Sequence, residues 1–289
     1  MGLANKIKNY GELVMFSHSL FSLPFAMISM IWAAGGFPEP RLITLIIVAL
    51  FAGRNGANAI NRVIDSPYDK INPRVAHRHI PQNIVTKKEA SILSAVLFLI
   101  FSAAAYLINP LCFYLSPIAL LLFVAYSYTK RFTWACHLIL GITCAGAPFG
   151  AWIAVTGKLS YEPFLISSAV ALWIGGFDVL YGTQDIDFDK KLGLYSIPAY
   201  FGYKKSLKIA ALFHAASWLI LFSLFFVLNN GYIYLTGLII IGVLFATEHR
   251  LVRPGNAKFM NWASYHINQI VSVTFFISSF LDFWLRRGF

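Results

Sequence analysis

The sequence predicts an all-α integral membrane protein of about nine transmembrane helices, and three observations carry that prediction. Hydrophobic residues make up 58% and charged residues only 12% of the 289-residue chain, more apolar surface than one soluble core can bury. Apolar runs recur at the length a helix needs to cross a bilayer. The lysines and arginines fall almost entirely on one side of those runs. No linker, low-complexity tract or soluble segment interrupts the pattern, so residues 1–289 read as one transmembrane domain.

In chain order the apolar runs lie near 13–34, 42–61, 91–108, 110–128, 134–155, 162–182, 206–228, 231–247 and 265–285. Each approaches the roughly 20 residues that span ~30 Å of hydrocarbon. Pro110, Pro117 and Pro148 interrupt several of them and loosen their boundaries. The first run is long and leads into further spans, unlike a cleaved signal peptide.

With the N-terminus in the cytoplasm, 18 of the 23 cations fall in cytoplasmic segments, among them Lys6, Lys8, Arg62, Lys70, Arg253 and Lys258. Only Arg41, Lys158, Arg286 and Arg287 fall outside, and Arg54 lies within a span. This bias predicts a cytoplasmic N-terminus and an external C-terminus, and it supports an odd helix count independently of hydropathy. It also accounts for the net charge of +11 through topology and anionic headgroups, with no nucleic-acid partner. Cys112, Cys136 and Cys144 lack CxxC spacing and read as packing residues.

Acidic residues are few, and half of the twelve cluster in two short segments. In the first, Arg54, Asn58, Asn61 and Asp65 recur at spacings that stack side chains on one helical face. Asp69 continues the stripe, but Pro67 intervenes and is expected to bend or end the helix, presenting Asp69 from a turn. In the second, Asp178, Tyr181, Asp185 and Asp189 recur in the same way, with Gln184 beside them. Asp187 is rotated roughly 200° from Asp185 and is expected to face solvent. An even number of spans separates the segments, so both are expected at the cytoplasmic side, where the two carboxylate sets can converge.

Carboxylates at a membrane boundary are costly unless cations meet them. Hard oxygen donors without a His/Cys set favour Mg²⁺, which commonly bridges protein carboxylates to substrate phosphates. Arg74, Arg78, Lys130 and Arg131 are candidates to hold the remaining charge of a diphosphate. Together these features point to a lipid diphosphate.

The N-x-x-x-D-x-x-x-D pattern at Asn61, Asp65 and Asp69 and the D-x-x-Y-x-x-Q-D-x-x-x-D pattern at Asp178, Tyr181, Gln184, Asp185 and Asp189 resemble the UbiA superfamily of intramembrane aromatic prenyltransferases. The similarity extends to "HSLFSLPFA", "YSYTKR" at 126–131 and "GLYSIPAYFG" at 193–202. The resemblance implies a bundle around a central cavity open laterally to lipid, in which Mg²⁺ helps a polyprenyl diphosphate ionise and an aromatic ring attacks the allylic cation. It assigns Asn61, Asp65, Asp69, Asp185 and Asp189 to the Mg²⁺–diphosphate centre and Arg54 and Lys130 to the diphosphate. Arg74, Arg78 and Arg131 are further diphosphate candidates, and Asp178, Tyr181 and Gln184 are supporting residues.

One position departs from the family pattern: Arg62 follows Asn61 where many members carry aspartate. This N-R form, with "NPR" soon after, resembles the 4-hydroxybenzoate polyprenyltransferase-like branch. That branch implies an aromatic acid acceptor in quinone biosynthesis, ubiquinone or menaquinone, at a bacterial inner membrane. A naphthoate-type acid of the futalosine menaquinone route is the alternative acceptor. Outside the family, a proton or cation transporter also uses buried carboxylates, but its charges belong near the bilayer midplane rather than at helix ends. A CDP-alcohol phosphotransferase is disfavoured because its glycine-containing aspartate motif is missing.

Several single residues keep two readings. Asp178 is either a helix-packing partner or part of the site, and Tyr181 either orients substrate or hydrogen-bonds an aspartate. His18 reads as a packing or interfacial residue, with acceptor binding as the alternative. His77 and His79 read as loop residues without metal-ligand companions.

Overall fold

The computed structural model describes residues 3–15, 19–252 and 263–287, so His18, Arg253 and Lys258 lie outside the described residues. Among the described residues all regular structure is helical. Eight segments are long and apolar enough to cross a membrane: Pro40–Asp69, Lys87–Ile108, Pro110–Thr129, Cys136–Thr156, Glu162–Lys191, Tyr203–Val227, Tyr232–Leu251 and Tyr265–Arg287. The ninth apolar run forms a shorter helix. Contacts divide the chain into two compact units, 1–19 with 39–128 and 20–38 with 129–289.

The first unit holds helices α1 (Leu3–Leu13), α3 (Pro40–Asp69), α4 (Lys87–Ile108) and α5 (Pro110–Thr129, its last residue falling in the second unit). The expected span at 13–34 is broken near its start. Met15 adopts φ 51°, a left-handed conformation that costs a non-glycine residue about 1–2 kcal/mol and stops α1. Thr86 and Glu89 form a reciprocal capping box that starts α4 several residues before its apolar run. Gly56 lets α4 close on α3, because a Cβ there would meet the Phe98 ring at 2.7 Å.

Helix α3 has 30 residues and rises roughly 45 Å, well beyond the ~30 Å hydrocarbon core. Its surplus is the polar end that carries Asn61, Asp65 and Asp69. The expectation that Pro67 presents Asp69 from a turn is corrected: α3 runs through Pro67 and ends at Asp69. Proline leaves the carbonyl of Val63 without its helical N–H donor, and the Ser66 hydroxyl donates to that oxygen at 2.8 Å. A neighbouring side chain thus offsets the lost bond and keeps Asp69 on the helix.

The second unit holds α2 (Ser19–Ala34, its first residue falling in the first unit), α6 (Cys136–Thr156), α7 (Glu162–Gly182), α8 (Ile186–Lys191), α9 (Ile197–Phe201), α10 (Tyr203–Val227), α11 (Tyr232–Leu251) and α12 (Asn268–Arg287). With 16 residues α2 rises about 24 Å, and Gly35 at φ 65° closes it. The core is aromatic: Phe25 stacks on Phe275 at 4.5 Å and packs against Trp173 at 5.0 Å. Helices α6 and α7 touch at Gly141, where a Cβ would lie 2.1 Å from the Ala171 carbonyl oxygen. Trp173 Nε1 donates to Asn268 Oδ1 at 2.6 Å, and Asn268 Nδ2 donates to the fully buried Glu248 at 2.8 Å.

Candidate active site

In the first unit the site residues sit on the last two turns of α3 and on the loop that follows. Asn61 Nδ2 donates to Asp65 Oδ2 at 2.8 Å and to Ser127 Oγ on α5 at 3.2 Å, so the amide fixes the carboxylate one turn away. Asp69 is buried, and Arg78 Nη1 donates to both of its oxygens at 2.7 and 2.9 Å. The loop is folded back by local chemistry. Asn72 Oδ1 accepts from the Arg74 amide at 3.0 Å, an Asx turn, and successive backbone turns carry the chain to Arg78.

The remaining residues of this stripe do other work. Asn58 Nδ2 donates to the Val14 carbonyl at 2.7 Å and ties α3 to the end of α1. Arg54 and Arg74 are half-buried. Arg62 is buried, with one guanidinium nitrogen at the Met15 sulfur and another 3.5 Å from Asn61 Oδ1. His79 lies 3.2 Å from the Glu12 carboxylate.

In the second unit α7 does not continue evenly into the second acidic motif. Residues Thr183–Asp185 tighten into a 3₁₀ turn before α8 begins. At roughly 120° per residue instead of 100°, three such residues turn α8 by about 60° relative to an uninterrupted helix. Asp185 and Asp189 are both buried, and Asp187 is exposed. Asp189 Oδ1 lies 3.1 Å from Lys130 Nζ, and its Oδ2 accepts from Ser196 Oγ at 2.9 Å. The Tyr195 amide donates to the Lys130 carbonyl at 2.7 Å, which holds the two loops together. Arg131, beside Lys130, is half-buried.

The supporting residues divide. Gln184 Nε2 donates to the Tyr181 carbonyl at 3.2 Å and so serves the helix end, and Tyr181 is half-buried on α7. Asp178 Oδ2 is 2.7 Å from Nδ1 of His137 on α6. Sequence reasoning missed Ser127, Ser196 and His137. The first two lie in "YSYTKR" and "GLYSIPAYFG", where a hydroxyl near a motif was the available signal; nothing in the sequence pattern marks His137.

The donors at both motifs are carboxylate and amide oxygens, a set that fits a hard divalent ion such as Mg²⁺. Among the described residues no three His, Cys, Asp or Glu side chains form a ready metal cluster.

Among the described residues, helices of membrane-spanning length that carry enclosed acid–base pairs at two motifs suit an intramembrane enzyme acting on an anionic substrate. The model of the UbiA prenyltransferase family matches residues 22–279, and the chain belongs to that family. It is 32% identical over 252 residues to a 4-hydroxybenzoate octaprenyltransferase of Aeromonas salmonicida (strain A449), covering 87% of this chain and 84% of that protein. It is 28% identical over 286 residues to the 4-hydroxybenzoate octaprenyltransferase of Vibrio atlanticus (strain LGP32), covering 98% and 100%. The apo structure of a UbiA homolog from Aeropyrum pernix K1 matches with a TM-score of 0.85 at 29% identity, covering 93% of this chain and 98% of that one. A UbiA homolog from Archaeoglobus fulgidus bound to GPP and Mg²⁺ shares the fold with a TM-score of 0.67 at 18% identity, covering 95% and 99%.

Proposed function

We propose that the protein transfers a polyprenyl group from a polyprenyl diphosphate to an aromatic acid of the 4-hydroxybenzoate kind, with Mg²⁺, in quinone biosynthesis. The observation that carries this reading is the pairing of motif carboxylates with the cations expected at the diphosphate, Asp69 with Arg78 and Asp189 with Lys130. The names of the relatives support the acceptor class. The cation bias supports a cytoplasmic site with the N-terminus inside and the C-terminus outside, and the bacterial relatives support an inner membrane.

Asn61, Asp65, Asp69, Asp185 and Asp189 would hold Mg²⁺, which when bound neutralises charge developing on the leaving diphosphate. Arg78 and Lys130, with Arg54, Arg74 and Arg131, donate to diphosphate oxygens and stabilise that charge further. Asn61 keeps Asp65 oriented through the bond between them. The prenyl tail and the apolar helix faces exclude water, which protects the allylic cation until the ring attacks.

Membranes containing the protein, incubated with Mg²⁺, a polyprenyl diphosphate and a panel of aromatic acids, are expected to yield a prenylated 4-hydroxybenzoate identified by product mass. A product only on naphthoate-type acids reassigns the acceptor while leaving the reaction in place. No prenyl product with any aromatic acid overturns the reading.

A further inference from the structure

We propose that Asp178 is the base that takes the proton from the acceptor ring and that His137 is the residue that positions it; this rests on the prenyl-transfer reading above. His137 stands in the first turn of α6 and Asp178 near the end of α7, with Nδ1 and Oδ2 2.7 Å apart. A carboxylate accepts hydrogen bonds, so Nδ1 carries the proton of this contact. Oδ1 of Asp178 makes no hydrogen bond among the described residues.

The two partners differ in access. The His137 side chain is 8% exposed, and its Nε2 is buried without a hydrogen-bond partner among the described residues. The imidazole fits against α7 because residue 182 is glycine; a Cβ there would meet its Cε1 at 2.8 Å. The Asp178 side chain is 25% exposed although it lies within a membrane-spanning segment. Ionisable side chains within spans face the bundle interior or a water-filled cavity rather than lipid, and the exposure of Asp178 fits that placement. The histidine is thus the inner support, and the carboxylate is the group a substrate reaches.

Asp178 is also separate from the pairs that occupy the acidic motifs. Lys130 and Ser196 engage Asp189, whereas among the described residues Asp178 engages the imidazole alone. Seven residues before Asp185, it lies about 10 Å deeper along the helix. That depth suits a ring attacking the first carbon of a prenyl chain whose diphosphate is held at the helix end.

The step balances as follows. The carbon–oxygen bond to diphosphate breaks with its electrons leaving on the diphosphate, and a ring carbon forms the new carbon–carbon bond. The ring carbon–hydrogen bond then breaks, its electron pair restores aromaticity, and the proton passes to Asp178 Oδ1. The neutral acid returns its proton to water. Removing a positioned base of this kind costs on the order of 10²-fold or more in rate.

The experiment measures kcat, donor KM and the kinetic isotope effect with acceptor deuterated at the reacting ring position, alongside thermal stability in detergent. Asp178→Asn is expected to lower kcat by about 10²-fold, to leave donor KM near its starting value, and to bring out a primary isotope effect absent from the unsubstituted protein. His137→Asn, whose amide nitrogen can replace Nδ1, is expected to lose far less activity than His137→Leu. Asp178→Asn with undiminished kcat, or with diminished kcat and no isotope effect, would overturn the assignment. So would equal losses from the two His137 variants, which would mark the pair as a tie between α6 and α7. If the unsubstituted protein forms no prenyl product, the proposed function fails with this inference; if it does form product, the isotope effect judges Asp178 alone.

Discussion

Asp189 and Lys130 form an ion pair in which the carboxylate is almost wholly enclosed and the ammonium is not: side-chain exposure is 2% for Asp189 and 37% for Lys130. Ser196 satisfies the other carboxylate oxygen. The lysine is therefore both a counter-ion for a buried charge and a cation within reach of an incoming anion. Lys130→Met is expected to raise donor KM by at least tenfold, because it removes a diphosphate partner and leaves Asp189 without its cation. Lys130→Arg should recover part of that loss. Donor titration of product formation reads both; an unchanged donor KM in Lys130→Met would remove Lys130 from the diphosphate site.

The acidic motifs make a sharper comparison. Asp65→Asn and Asp185→Asn keep the size of the side chain and remove its charge, so prenyl transfer should fall by orders of magnitude while membrane insertion persists. Asp187→Asn, on the exposed side of α8, should change activity little. Chelation should abolish transfer and added Mg²⁺ restore it. Full, metal-independent activity in both Asp65→Asn and Asp185→Asn would show that the acidic stripes serve another purpose.

Ser196 has two duties in one hydroxyl. It donates to Asp189 Oδ2 and accepts from the Ala199 amide as the N-cap of α9. Ser196→Ala should cost about 1 kcal/mol of stability through the cap and also reduce activity through Asp189. Ser196→Thr keeps both bonds within reach and should restore most of each. Thermal unfolding in detergent and initial rates separate the two effects; if Ala and Thr behave alike, the hydroxyl is idle.

Helix packing supplies a test outside the site. Gly141→Ala puts a methyl group 2.1 Å from a backbone oxygen of α7, which cannot swing aside as a side chain does, so α6 and α7 must separate. A marked fall in thermal stability is expected. Gly146→Ala, on the same helix with nothing within 4 Å of its new Cβ, is the control and should be close to neutral. Similar melting temperatures for the two variants would contradict the close α6–α7 contact.

The sequence by itself determined most of the membrane-spanning helices and the outward side of Asp187, whereas the 3₁₀ turn at Thr183–Asp185 breaks the single face expected for the second stripe. Apolar length and helical phase are local properties: among the described residues eight of the apolar runs became helices long enough to cross a membrane and one a shorter apolar helix, and Asp187 turned outward as the period of the helix requires. Local chemistry decided two details that residue type alone misjudged. The Ser66 hydroxyl carried α3 through Pro67, and the left-handed Met15 cut short the first run. Tertiary structure alone decided who meets whom. Ser127 meets Asn61 across 66 residues, His137 meets Asp178 across 41, and Lys130 meets Asp189 only when the loop after α5 returns beside α8. Periodicity records which side of its own helix a residue occupies; a partner on another helix is selected by how the helices pack, and the burial of a charge forces that choice only once they have packed.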